Sequence, residues 1–123
     1  MMTKEDMIER IDIVADAQRD RIAVNPVKLF EYQAAYEAAL NFRAGNYLGD
    51  PPLEVSCWAQ AKKWTANQAA DDIIQEAELY QYAVRMIRAI RLTGKYAVKD
   101  ASTIEEAEVI FNSVIGQLKS IGG

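Results

Sequence analysis

Residues 65–92, TANQAADDIIQEAELYQYAVRMIRAIRL, have the pattern of one long amphipathic helix. A capping box formed by Thr65 and Gln68 favours a helix that begins directly after Thr65. Apolar side chains then recur at alternating spacings of four and three residues, which places them on one helical face: Ile73, Ala77, Tyr80, Val84 and Ile87. We predict that the helix ends at Thr93-Gly94, although it can continue to Lys99.

The sequence before this stretch predicts three more helices. Thr3 is an N-cap candidate for the first, which stops at Asn25-Pro26, because asparagine can cap a new helix and proline can begin it. A loop rich in glycine and proline over residues 45–52 separates the second helix from the third. The spans predicted for these two helices are 26–44 and 53–62.

The two terminal helices each carry an apolar face. The last helix begins at a capping box of Ser102 and Glu105, and its face comprises Ile104, Ala107, Phe111, Val114, Leu118 and Ile121. The first helix has a narrower seam, made of Ile8, Ile11, Ala15, Gln18 and Ile22. Such a thin seam is compatible with a helix that covers the core and with one that packs on a partner or a second copy.

These patterns predict an all-α fold, a compact bundle of about five helices in which the N-terminal helix can protrude. No segment shows the sustained period-two alternation of a strand. We divide the chain into an N-terminal amphipathic helix over residues 1–24, an attachment or oligomerisation element, and a helical bundle domain over residues 25–123. The N-terminus lacks the features of a targeting signal, and no apolar run is long enough for a bilayer, so we expect synthesis in the cytoplasm without a membrane partner.

Composition argues against an enzyme. The chain of 123 residues contains no histidine, which excludes Ser-His and Cys-His nucleophile systems. Its single cysteine, Cys57, is expected to be a buried, inert thiol, while Trp58 and Trp64 anchor the third helix on the core. The densest acidic patch is expected to face water near a helix N-terminus: Asp71, Asp72, Glu76 and Glu78. We therefore expect no catalytic residues, no cofactor and no bound metal.

The basic residues are concentrated in one segment of a chain whose net charge is −4. Residues 85–99 carry five basic side chains and no acidic one. Arg85, Arg88 and Arg91 lie three apart and form a stripe along one helical face. The stripe can contact nucleic acid phosphates, but in an acidic protein without interleaved aromatic side chains we favour pairing with acids of the same chain or of a neighbouring subunit.

The middle of the chain resembles small helical proteins from the tail and tail-fibre region of tailed bacteriophages and prophages. The resemblance covers residues 20–100 and rests on the order of three motifs. These are Phe42-x-x-Gly45-x-Tyr47, then Pro51-Pro52-x-x-Val55-x-x-Trp58-Ala59-x-Ala61-Lys62-x-Trp64-Thr65-Ala66-x-Gln68-Ala69-Ala70-Asp71-Asp72-Ile73-Ile74, then Ile87-Arg88-x-x-Arg91-Leu92-x-Gly94-Lys95. It implies a virion context and carries over no catalytic residue.

The leading hypothesis is a non-enzymatic structural component of a phage virion that docks in the tail, tail fibre or baseplate. Other virion proteins and further copies of this chain are the expected partners, and nucleic acid is not. The residues predicted to bind them are Ile8, Ile11, Ala15, Ile22, Arg85, Arg88 and Arg91. An assembly chaperone that does not remain in the particle is the main alternative. A DNA-binding regulator, supported only by the basic stripe, and an enzyme based on Asp72 and Glu76 are less favoured.

Overall fold

The computed structural model describes residues 1–122 and is all-helical over that range, with no strand. The helices are α1 (Lys4–Ile22), α2 (Pro26–Ala44), α3 (Leu53–Lys62), α4 (Ala66–Asp100) and α5 (Ile104–Ser120). This confirms the predicted fold class. None of these helices is long and apolar enough to cross a membrane.

Side-chain caps explain where four of the five helices begin, whereas α3 begins after Pro52 without one. Thr3 caps α1 through a capping box with Asp6, and the Asn25 side chain accepts the Lys28 amide at 2.8 Å at the start of α2. The predicted box at α4 is present, with Gln68 N–H donating to Thr65 Oγ1 at 3.2 Å. At α5 the predicted cap is wrong by one residue: Thr103 is the N-cap, and its hydroxyl accepts the Glu106 amide.

The contacts divide the chain into two units, and the division differs from the predicted boundary at residue 24. Unit 1 contains residues 1–23 and the chain from Tyr82 onward, and unit 2 contains residues 24–81. The long helix α4 contributes its first half to unit 2 and its second half to unit 1. The predicted separation of 1–24 from 25–123 is therefore corrected, because α1 packs on α5 within unit 1.

Unit 1 has an aliphatic core built from α1, α4 and α5. Its buried residues are Met7, Ile11, Ala15, Ile87, Val98, Ala101, Ala107, Phe111, Val114 and Leu118. Gln18 is also buried, at 3% exposure, and its amide donates to the Ile121 carbonyl while its Oε1 accepts from Arg21. The polar residue in the seam of α1 thus has hydrogen-bond partners inside its own unit.

Gly94 lies inside α4, so the favoured helix end at Thr93-Gly94 is wrong, and the helix follows the alternative that continues to about Lys99. A Cβ atom added at Gly94 would lie 2.7 Å from Val114 Cγ1 and 2.8 Å from Val114 Cγ2. Glycine therefore permits close approach of α4 and α5 within unit 1 rather than ending the helix. A glycine late in a helical pattern is compatible with a helix end and with a close helix contact, and the proximity of Val114 identifies Gly94 as a contact of the second kind.

Unit 2 has a smaller core and a strained turn. Its buried residues are Ala39, Phe42, Val55, Ala69, Ala70 and Ile74. Asn46 and Tyr47 follow α2 with positive φ angles of 59° and 58°, which is rare for a side chain as large as that of tyrosine. This turn packs the Tyr47 ring edge-on against Phe42, with ring centroids 5.6 Å apart.

Candidate protein-binding surfaces

The acidic patch on the first half of α4 is engaged by side chains of unit 2. The Tyr47 hydroxyl donates to Asp71 Oδ1 at 2.6 Å, and the Trp58 indole N–H donates to Asp72 Oδ2 at 2.8 Å. Tyr36 reaches Glu78 at 3.5 Å. These carboxylates therefore hold α2, the following turn and α3 against α4, in addition to contacting water.

The hydrogen bond to Asp71 also changes the chemistry of Tyr47. Because the phenol donates to a carboxylate, the pKa of Tyr47 is raised above its usual value. Arg43 lies 3.9 Å from the same carboxylate and opposes this shift. An open groove of ≈ 510 Å³ borders this cluster, lined by Arg43, Asp71, Ile74, Gln75, Glu78 and Leu79. No cluster suited to holding a metal ion occurs within the described part of the chain.

Cys57 and Trp64 do not lie where the sequence predicts. Cys57 is exposed, so its predicted burial is wrong. The reason is that α3 is short and only Val55 among its residues is fully buried. Trp58 is half-buried and packs on the core of unit 2, as predicted for an anchor, but Trp64 remains 40% exposed.

The predicted seam of α1 is occupied within unit 1. Ile11 and Ala15 are fully buried, and Ile8 and Ile22 are half-buried against the same core. Because Ile11 and Ala15 have no exposed surface, their predicted role as partner-binding residues is wrong for the folded unit. Of the two structures that the sequence allowed for α1, the helix adopts the one that covers the core.

The predicted arginine stripe is split into two parts by an ion cluster. Asp12 on α1 accepts from Lys95 Nζ at 2.8 Å and lies 3.4 Å from Arg91 Nη1. The hydrogen bond from Lys95 holds the pKa of Asp12 below its ordinary value, and Arg91 lowers it further. Arg91 therefore joins α1 to α4 inside unit 1 and does not belong to a free surface.

Arg85 and Arg88 remain exposed on the second half of α4. Neither makes a side-chain hydrogen bond or an ion pair with any residue in the range 1–122. Helix geometry places them with other exposed residues on one side, which we call the α4 outer face: Tyr82, Arg85, Arg88, Ala89, Leu92, Tyr96 and Lys99. Tyr82 and Tyr96 are 61% and 71% exposed, and Leu92 is 43% exposed.

The α4 outer face has a regular pattern that the sequence analysis missed. Residues 82, 85, 89, 92, 96 and 99 follow at spacings of three and four, the spacing of a helix-packing seam. The apolar stripe through Val84 and Ile87 dominated the sequence pattern, although a second stripe at the same period was visible on the other side. The tyrosines also interleave with the arginines, so the expected lack of interleaved aromatic side chains no longer argues against nucleic acid binding. The acidic net charge of the chain still does.

Comparisons were made with protein-family models, with curated proteins and with solved structures, and none of them gives a significant match. The interpretation of the surfaces therefore rests on their own geometry and chemistry.

Proposed function

We propose that this chain is a non-enzymatic structural component of a tailed-phage virion, which docks in the tail, tail fibre or baseplate through helix surfaces. The phage context comes from the order of motifs over residues 20–100. The observation that carries the docking role is the α4 outer face. It presents two tyrosines and two arginines to solvent, without a covering element from residues 1–122.

The composition of this face supports a protein partner. Tyrosine and arginine are enriched at the centres of protein interfaces, because both combine apolar surface with hydrogen-bonding capacity. No acidic residue occurs between Tyr82 and Lys99, so the face is uniformly basic around its apolar residues. A partner that covers it would therefore present carboxylates around a small apolar contact.

Mass spectrometry of purified particles from a host that carries the gene tests the virion role. We expect the chain to remain with particles through gradient purification, at an abundance comparable with other minor tail proteins. A chain that is abundant in the lysate but absent from particles, and that co-purifies with fibre protein, would instead establish the assembly chaperone. Absence from both particles and fibre complexes overturns both functions.

A double substitution tests the surface. We expect Arg85→Glu with Arg88→Glu to reduce incorporation into particles, since it reverses the charge of the α4 outer face without touching a buried residue. Glu31→Lys with Glu37→Lys on α2 is the matched control, because it reverses two exposed charges in unit 2. Equal incorporation of both variants would exclude the α4 outer face as the docking surface.

A further inference from the structure

α1 carries an exposed stripe of the opposite charge to the α4 outer face. The α1 outer face consists of Glu5, Glu9, Ile13, Asp16 and Asp20, all of which are exposed. These residues follow at spacings of three and four and lie within about 80° of one another around the helix, opposite the buried side of α1. Ile13, which is 50% exposed, is the apolar residue at the centre of the stripe.

The two faces match in length as well as in charge. Tyr82 to Tyr96 spans about 21 Å along a helix, and Glu5 to Asp20 spans about 22 Å. Exposed cations lie towards both ends of the α4 outer face: Arg85 and Arg88 towards the N-terminal end, and Lys99 at the C-terminal end. Ala89 and Leu92 lie between these cations and correspond in position to Ile13 on α1.

Other charges on α1 do not cancel this stripe. Arg19 pairs with Asp16 at the edge of the face, and both side chains remain partly exposed. Arg10 and Arg21 lie about 100° and about 120° around the helix from the centre of the stripe. Glu9 and Asp20 make no side-chain hydrogen bond or ion pair within the described chain. With Asp16 paired to Arg19, three carboxylates of the α1 outer face remain to attract the three cations of the α4 outer face: Glu5, Glu9 and Asp20.

We propose that the α4 outer face binds the α1 outer face of a second copy of this chain. The inference rests on the proposed function in that it names a partner for the same docking surface. Both faces belong to unit 1, so a two-fold arrangement places α1 of each copy on α4 of the other and uses each face twice. Ile13 then covers Ala89 and Leu92, and carboxylates of α1 reach the cations on either side.

Analytical ultracentrifugation of the full chain across a concentration series tests the self-association. We expect association at low ionic strength, and a dissociation constant raised about tenfold or more near 1 M salt, since exposed charges are screened there. A wild-type chain that remains monomeric at low ionic strength overturns the proposal.

Charge exchange tests the identity of the two faces. We expect Arg85→Glu/Arg88→Glu and Glu9→Lys/Asp20→Lys to be monomeric as separate samples, because each presents like charges at the interface. An equimolar mixture should associate again, since the reversed α4 of one variant meets the reversed α1 of the other. Unchanged association of either variant alone, or a mixture that remains monomeric, contradicts the assignment.

Two further variants test whether charge reversal at any exposed position would prevent the association. Lys28→Glu/Lys119→Glu and Glu31→Lys/Glu37→Lys reverse exposed charges elsewhere and should associate like the wild type. Far-ultraviolet circular dichroism and thermal midpoints establish that every variant is folded. If association of the wild type requires an added DNA oligonucleotide, and Arg85→Glu/Arg88→Glu abolishes binding of that oligonucleotide, the face binds nucleic acid and the proposal is wrong.

The two proposals fail in different ways. A chain that is present in virions but monomeric in solution, with no restoration in the mixture, retains the proposed function and loses the self-association. A chain that self-associates through these faces but is absent from particles and fibre complexes retains the interface and loses the proposed function.

Discussion

The cores of the two units differ in how many large apolar side chains they bury. In unit 1, the residues with almost no exposed surface include Met7, Ile11, Ile87, Val98 and Leu118. In unit 2, three of the six core residues are alanines: Ala39, Ala69 and Ala70. Because the hydrophobic contribution grows with the apolar area removed from water, unit 1 gains more from burial than unit 2 does.

Unit 2 adds polar contacts where its core is small. Tyr47 and Trp58 bind Asp71 and Asp72, which are adjacent on α4. In unit 1 the corresponding cross-helix ion cluster is confined to Asp12 with Arg91 and Lys95. Unit 2 thus joins its helices partly through hydrogen bonds to two adjacent carboxylates of α4, whereas unit 1 buries more large aliphatic side chains.

The largest effect should come from truncation in the core of unit 1. We expect Leu118→Ala to lower the free energy of unfolding by about 2–5 kcal/mol, since it removes buried methyl groups and leaves a cavity. Val109→Ala on the same helix is the control, because Val109 is 71% exposed, and it should change stability by about 0.5 kcal/mol or less. Urea unfolding gives both values.

Hydrogen exchange on Leu118→Ala shows whether the two units differ as described. We expect amides of α1 and α5 to lose more protection than those of α2 and α3. Equal loss in all helices would indicate one cooperative transition for the whole chain, and the distinction between the cores would then have no thermodynamic consequence.

Glycine substitutions in unit 1 test the close approach of α4 and α5. We expect Gly94→Ala to destabilise by about 1–3 kcal/mol, since its Cβ would overlap the stiff Val114 side chain. Gly116→Ala meets nothing within 4 Å and should stabilise by up to about 1 kcal/mol through helix propensity. Adding Val114→Ala should reduce the cost of Gly94→Ala. A Gly94→Ala variant as stable as Gly116→Ala would contradict the close contact.

Gly94 also shows which parts of the fold were accessible from sequence. The starts of α1 and α2 follow from the caps Thr3 and Asn25 and were predicted correctly, as was the span of α3, although α3 begins without a side-chain cap. α1 ends at Ile22, a few residues before the predicted stop at Asn25-Pro26. The reason for a glycine at position 94 lies in Val114, which is twenty residues away in the chain and leaves no room for a Cβ atom. No local pattern distinguishes a glycine that ends a helix from one that admits a neighbouring helix.

For the surfaces too, local spacing predicts which residues share a helical face, but contacts distant in the chain determine whether that face is covered. The periodicity of α1 indicated which residues share a face, but whether that face binds the core or a partner depends on α5. The pairing of Arg91 with Asp12 likewise joins residues from separate helices. In contrast, the seam of Tyr82, Arg85, Ala89, Leu92 and Tyr96 was present in the spacing of α4 alone.

A smaller effect is expected from the polar contacts of unit 2. Tyr47→Phe removes the 2.6 Å hydrogen bond to Asp71 and should cost about 0.5–1.5 kcal/mol. Tyr36→Phe removes a 3.5 Å contact to Glu78 and should cost less. Urea unfolding, with hydrogen exchange in α2, measures both. Equal costs for the two substitutions would show that the turn at Tyr47 does not depend on this bond.

The smallest effect concerns the ion cluster of unit 1 and depends on pH. Asp12→Asn should cost about 1 kcal/mol or less at pH 7, because Asp12 and Lys95 remain partly exposed and their attraction is screened by solvent. The pKa of Asp12 is lowered in the folded chain, so its stabilising contribution is present above the ordinary pKa of an aspartate. That contribution is lost as the pH falls through the lowered value. Urea unfolding of wild type, Asp12→Asn, Lys95→Gln and the double variant measures the coupling. A coupling that persists unchanged well below the ordinary pKa would show that the contact does not act through the charge of Asp12.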